Sequence, residues 1–221
     1  MADQRAKLTW TDDKVPVSDQ FDDPYFSLQN GLEETRHVFL AGNDLPRRFT
    51  SGFHIAELGF GTGLNMLTAW SEWERSGQTG PLWFTSFEAF PMAQDDMARA
   101  LQAFPELKPW SDRFLAKWDG GKCELETLKL EVVEGDARQT LPAWSGKANA
   151  WFLDGFSPAK NPELWESGLL RQVANHTAPN GTAATYTAAG FVRRGLEEAG
   201  FAVTRSPGYG RKRHMTRAVK T

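Results

Sequence analysis

Three features of this 221-residue sequence predict an α/β fold, a mostly parallel sheet with helices on both faces. From His54 onward, short strand-like runs alternate with stretches of helical periodicity. Acidic residues and a glycine-rich turn fall directly after those runs, at the carboxyl ends where such sheets bind ligands. Near the C-terminus, RHMTRAV follows FAVTR closely enough to pair with it as an antiparallel edge strand.

The elements follow in order. Residues 1 to about 50 mix turn formers with aromatics in TDDKVPVSDQFDDPYFS and offer one short helical stretch in NGLEETRHVFLAG, so no core sheet is expected to begin there. HIAEL reads as a strand, LNMLTAWSEWERS as a helix, LWFTSFE as a strand and MAQDDMARALQAF as a helix. Trp70, Trp73 and Trp83 fall on this helix and second strand and are assigned to packing. LKPWSDRFLAKWDGGK is less regular, and CELETLKLEVVEGD alternates as a strand or hairpin would. ANAWFLDG, TAATYT and FAVTR supply further strands, separated by the helical runs PELWESGLLRQVANH and AAGFVRRGLEEAG.

Composition narrows the function. The chain is 40% hydrophobic and 24% charged, enough for a substantial core. Cys123 is the sole cysteine and the four histidines are far apart, which excludes a disulfide scaffold and gives no metal-ligand pair. No stretch has signal-peptide character or the ~20 apolar residues of a spanning helix, so a soluble cytoplasmic protein is expected. Net charge is −3 overall, yet the segment from Arg193 onward carries +6 and the rest −9. A local basic face of that kind can steer a polyanion on an acidic protein; it also suits a solvated tail.

The turn ELGFGTGLN places Gly59, Gly61 and Gly63 after a strand ending in Glu57. A dinucleotide fingerprint needs its third glycine one position later, and a phosphate loop needs Gly-Lys-Ser/Thr; neither is present. E-x-G-x-G-x-G suits a ligand with an amino-acid end and a sulfonium, which is S-adenosylmethionine, in a Rossmann-like class I methyltransferase fold. Glu88 closes the next strand with acceptor oxygens for both ribose hydroxyls, and Asp136 closes the third with an acceptor for an adenine amine. The expected cofactor set is Glu57, Gly59, Phe60, Gly61, Thr62, Gly63 and Asn65 from the turn, with Glu88, Asp136 and Ala137. Asp154 ends the fourth strand in WFLDGFSPAKNPELW and is the candidate catalytic residue, orienting an acceptor amine and receiving its proton. Each of these acids also fits a helix cap or a turn.

FDDPYFSLQNGLEETRHVFLAGN, ELGFGTGLNML, FTSFEAFP, WFLDGFSPAKNPELW, TAAGFVRRGLEEAGF and GYGRKRHM, spanning about Phe21 to Met215, resemble the methyltransferase domain of the bifunctional tRNA 5-methylaminomethyl-2-thiouridine biosynthesis proteins (MnmC) and their stand-alone relatives. The resemblance implies methyl transfer from S-adenosylmethionine to the aminomethyl nitrogen of 5-aminomethyl-(2-thio)uridine at the tRNA wobble position. It further implies that Glu57, Gly59, Gly61 and Gly63 hold the methionine end, Glu88 the ribose, Asp136 the adenine region and Asp154 the acceptor amine. Phe26, Phe156 and Lys160 are candidates for the base pocket. Arg193, Arg194, Arg211, Lys212 and Arg213 are candidates for anticodon stem-loop phosphates. Residues 1–50 are expected to form an extension over the active site and 51–221 the methyltransferase domain. The FAD-dependent oxidase domain of bifunctional members is expected to be absent, so the substrate should arrive already aminomethylated from such a domain or protein. No metal and no membrane enter. A small-molecule amine methyltransferase and a non-catalytic RNA-binding domain are the alternatives.

Overall fold

The computed structural model describes residues 5–11, 15–27 and 30–221. The chain opens with β1 (Leu8–Thr11), β2 (Val15–Ser18) and β3 (Asp23–Pro24), a small antiparallel sheet, then α1 (Gly31–Thr35), which runs on as a π-helical turn through Leu40 and a 3₁₀ turn through Asn43. These first residues thus carry more order than their turn-rich composition predicts, because Val38, Phe39, Leu40, Leu45 and Phe49 pack in the same core as Ile55 and Trp70. Arg48 staples this segment down by donating to the carbonyls of Asn43, Asn149 and Asn180.

The main sheet begins with β4 (His54–Leu58), followed by α2 (Leu64–Arg75), β5 (Leu82–Glu88) and α3 (Gln94–Leu101). The stretch that looks irregular in sequence holds α4 (Lys108–Leu115), whose Phe114 is fully buried; its Pro109 sits in the first helical turn, where no intrahelical donor is lost. A hairpin of β6 (Lys122–Leu125) and β7 (Leu128–Glu134) leads to α5 (Ala137–Thr140), β8 (Ala148–Leu153), α6 (Ser167–Asn175), β9 (Thr177–Thr185), α7 (Gly190–Glu198), β10 (Phe201–Pro207) and β11 (His214–Lys220).

The strand order is β10-β11-β9-β8-β4-β5-β7-β6. Pairs among β9, β8, β4, β5 and β7 are parallel, while β6 and β11 pair antiparallel with their neighbours. β11 does pair with β10 as expected, but it lies inside the sheet; the edges are β10 and the antiparallel β6. The physical reason is burial: Met215 and Ala218 of β11 are 2% exposed, whereas β10 shows exposed Ala202, Thr204 and Arg205. Two apolar layers flank the sheet, one containing Trp70, Trp73 and Phe152, the other Trp151, Leu170 and Leu196. Each such large side chain contributes on the order of 1.5–3 kcal/mol by leaving water. Trp83, by contrast, is 41% exposed and lies under Lys129.

Chain order reverses between β4 and β8: after β4 the strands are added toward β5 and β7, and β8 then starts the other side. Ligands of such sheets bind in the crevice at that reversal, outside the carboxyl ends of the strands. Gly59 and Asp154 stand at those two ends.

Candidate active site

Gly59 leaves β4 with φ +88°, and a Cβ there would lie 2.2 Å from the Asp154 carbonyl oxygen. Only glycine lets the two strand ends meet this closely. Gly61 follows at φ +54°, where a Cβ would sit 3.1 Å from the Tyr25 ring. The turn delivers the chain into α2, whose first amides have no side-chain cap and face the cleft side of the sheet.

A cleft of about 1300 Å³ opens above this turn, larger than the roughly 300–1,000 Å³ of an ordinary small-molecule pocket. Its floor includes Gly59, Phe60, Gly61, Thr62, Asn65, Glu88, Asp136, Ala137 and Asp154. Phe26 and Phe156 line it from the side, and Arg211 and Lys212 stand at its mouth. Glu57, Gly63, Lys160, Arg193, Arg194 and Arg213 do not line it.

Glu57 is wholly buried beneath the floor. One carboxylate oxygen accepts from Asn65 Nδ2 at 2.9 Å and the other from Ser86 Oγ at 2.8 Å. Burial holds its pKa well above the usual carboxylate range, against those hydrogen bonds and with the added repulsion of Asp154 and Glu88. Its place is therefore under the loop, where it props Asn65. Asn65 is the hub: the same Nδ2 donates to Asp154 Oδ2 at 2.7 Å, and Oδ1 accepts from Thr35 Oγ1 at 2.8 Å. Burial raises the Asp154 carboxyl to about 7, opposed by the Asn65 hydrogen bond and the positive charge of Lys212, and assisted by Glu34. A group titrating there is matched to proton transfer at neutral pH. Glu88 is raised as well, by burial, although the backbone amides of Phe90 and Gly61 donate to its two oxygens at 2.8 and 3.1 Å.

Four residues differ from their expected contacts. The Asp136 carboxylate caps α5 through the Arg138 amide and accepts the Arg138 guanidinium, with Nη2 at 2.6 Å from Oδ2, so an adenine amine would have to compete with a charged partner. That guanidinium holds its pKa below the ordinary value. Lys160 ties β8's following loop to the N-terminal segment: it donates to the Asp22 carbonyl and lies 3.8 Å from Asp23 Oδ1. Phe26 packs edge-on against Phe104 at 4.9 Å and is core as much as wall. Lys212 bonds Glu34 Oε1 at 2.7 Å. Phe156 remains a cleft aromatic, stacked on Phe21 at 4.7 Å with Tyr25 edge-on at 5.1 Å.

Away from the cleft, desolvation and the positive charges of Arg205, Arg213 and Arg193 hold the His214 imidazole below the ordinary value. Arg194 is exposed on α7. Sequence reasoning missed Thr35, Glu34, Ser86, Tyr25 and Tyr186, which carry no local signature. Arg138, two residues after a helix-capping Asp, carried one.

The floor suits S-adenosylmethionine. It combines the glycine turn and the Glu88 carboxyl with apolar Phe60 and Ala137 along one cleft, a mix that fits a ligand with polar and apolar ends. Among the described residues no cluster of His, Cys, Asp and Glu could hold a metal, and no helix is long and apolar enough to cross a membrane.

Known proteins agree with this geometry. The chain is 48% identical, over 96% of its length, to the bifunctional tRNA 5-methylaminomethyl-2-thiouridine biosynthesis protein MnmC of Pseudomonas paraeruginosa, and 44% identical over 98% to that of Chromobacterium violaceum. It spans 34% of the length of each of these relatives. The crystal structure of MNMC2 from Aquifex aeolicus superimposes with a TM-score of 0.76 at 27% identity, covering 98% of this chain and 71% of that one. TrmN from Thermus thermophilus, at 16% identity and a TM-score of 0.53 over 90% of this chain and 54% of its own, shares the fold. Residues 102–221 match the model of an S-adenosyl-L-methionine-dependent methyltransferase family, and the chain belongs to that family.

Proposed function

We propose that this chain methylates the aminomethyl nitrogen of 5-aminomethyl-(2-thio)uridine at the tRNA wobble position. The observation carrying the reading is the Asp154 carboxyl, held by Asn65 at the junction of β4 and β8 in a cleft too large for a cofactor alone. It is supported by similarity to the MnmC relatives over nearly the whole chain.

Glu88 is assigned to the ribose hydroxyls, and the turn from Gly59 to Gly63 with Thr62 and Asn65 to the methionine end. Phe60 and Ala137 are assigned to the adenine walls. When bound, S-adenosylmethionine supplies an electrophilic methyl group, and transfer forms an N–C bond as a C–S bond breaks. Asp154 orients the amine and takes its proton, so that the nitrogen lone pair is free to attack. Phe156 is assigned to the splayed base, which RNA-binding sites stack on aromatic rings.

Arg211 at the mouth and the group Arg193, Arg205 and Arg213 are assigned to phosphates of the anticodon stem-loop. A small amine substrate would give no reason for this basic surface. The segment around Phe21 and Tyr25 is assigned to cover the cleft. An FAD-dependent oxidase, as a further domain or a separate protein, is the partner assigned to prepare the aminomethyl base. The test is incubation with labelled S-adenosylmethionine and aminomethyl-tRNA, followed by nucleoside analysis. Label in 5-methylaminomethyl uridine is expected; its absence, with label entering a free small amine instead, would refute the tRNA reading.

A further inference from the structure

Lys212 stands at the mouth of the cleft and bends back over its lining. Its ammonium lies 2.7 Å from Glu34 Oε1 and 4.0 Å from the centroid of the Tyr186 ring. The Glu34 side chain is 16% exposed and that of Lys212 46%, so the carboxylate is the partner withdrawn from water. Tyr186 is locked by its hydroxyl, which donates at 2.7 Å to the carbonyl of Gly155, the residue after Asp154. Both Lys212 and Glu34 are near enough to Asp154 to move its titration in opposite directions. A carboxylate and an aromatic face thus hold one primary ammonium, in the cleft that the Asp154 carboxyl also lines. These are the groups that recognise an alkylammonium in general.

We propose that Glu34 and the Tyr186 face are the subsite for the acceptor's primary amine, and that Lys212 fills this subsite until the acceptor arrives. The inference rests on the aminomethyl-acceptor reading given above. A lysine side chain and an aminomethyl group end alike, in a methylene bearing an ammonium, so a site that holds one holds the other. On exchange Lys212 leaves toward Arg211 at the mouth, where backbone phosphates of the RNA stabilise it. The amine then stands beside Asp154, which accepts its proton, and Glu34 is the counter-ion of the arriving ammonium and of the methylammonium that transfer forms. The exchange couples the two halves of recognition: an amine without phosphates does not draw Lys212 out.

The free nucleoside 5-aminomethyluridine, which has no phosphate, tests this by calorimetry on the full chain, with aminomethyl-tRNA methylation measured alongside. Lys212→Met should bind the nucleoside about tenfold more tightly than the parent, because the internal competitor is gone. Adding Glu34→Gln to Lys212→Met should cancel that gain by about tenfold or more, the loss typical of a hydrogen bond to a charged group. Tyr186→Leu in the same background should also weaken it, independently of Glu34. Uridine lacking the aminomethyl group should respond to none of these changes. Nucleoside affinity that is unchanged or weaker in Lys212→Met, or indifferent to Glu34→Gln, would overturn the inference while parental methylation of tRNA leaves the function standing. A parent that fails to methylate aminomethyl-tRNA would remove the function and the inference together.

Discussion

Asn65 Nδ2 lies 2.7 Å from Asp154 Oδ2 and 2.9 Å from Glu57 Oε1, so one amide couples the buried acid under the glycine turn to the acid facing the cleft. Its own oxygen is held by Thr35, from the segment ahead of the main sheet. Four elements therefore share the task of aiming one carboxyl.

Asp154→Asn should leave the cofactor bound and slow methyl transfer by roughly 10²-fold or more, the range for loss of a proton-accepting group. In the parent, single-turnover rates should rise with pH around a midpoint of about 7, where the Asp154 carboxyl deprotonates. A parental rate and pH profile in the Asn variant would make Asp154 a turn residue.

Asn65→Ala removes a hydrogen bond that holds the Asp154 titration down, so the midpoint should move above that of the parent. It also strips buried Glu57 and Thr35 of a partner, at a cost of about 1–3 kcal/mol in stability. A pH-rate profile and a denaturant titration read the two effects separately.

Gly59→Ala should impair folding or cofactor binding, since its Cβ would overlap backbone 2.2 Å away, which no side-chain rearrangement relieves. Gly61→Val should fold and lose S-adenosylmethionine affinity, because the side chain at φ +54° projects beside Tyr25 into the cleft. Calorimetry distinguishes them, and an unaltered Kd in a folded Gly61→Val would take this turn out of the site.

The free protein should lose stability as pH rises. The Glu57, Glu88 and Asp154 carboxyls are all raised in the folded state, so between about pH 4 and 7 the native chain keeps protons that the unfolded chain has released. Their contribution is complete below the unfolded values and disappears as pH climbs through the folded ones. Thermal melts of the parent and Asp154→Asn should diverge above pH 5, the Asn variant becoming the more stable by on the order of 2 kcal/mol at pH 8. Parallel curves would show that Asp154 is not desolvated.

Binding of tRNA should weaken steeply with salt while binding of S-adenosylmethionine does not, because only the polyanion releases many counterions. Arg211→Glu with Arg213→Glu should weaken tRNA binding further and flatten the salt slope. Filter binding at matched salt measures both, and parental behaviour in the double variant would leave that surface merely solvated.

What the sequence by itself determined is the part whose physics is local. An apolar run, glycines at alternate positions and a helical run dictate a strand, a turn and a helix. Parallel strands align their carboxyl ends, so acids directly after successive strands had to reach one rim. Packing decided the rest. FAVTR and HMTRAV have similar alternation, and only the better-buried face of β11 put it inside β10. Asp136 was legible as a strand-end acid, but whether it met a ligand or Arg138 depended on how α5 began. Lys212 and Glu34 are 178 residues apart; in the sequence Lys212 reads as a phosphate contact and Glu34 carries no signal. Their meeting over Tyr186 follows from the path of the N-terminal segment across the sheet, because charge pairing is set by proximity in space, and residue spacing carries no record of it.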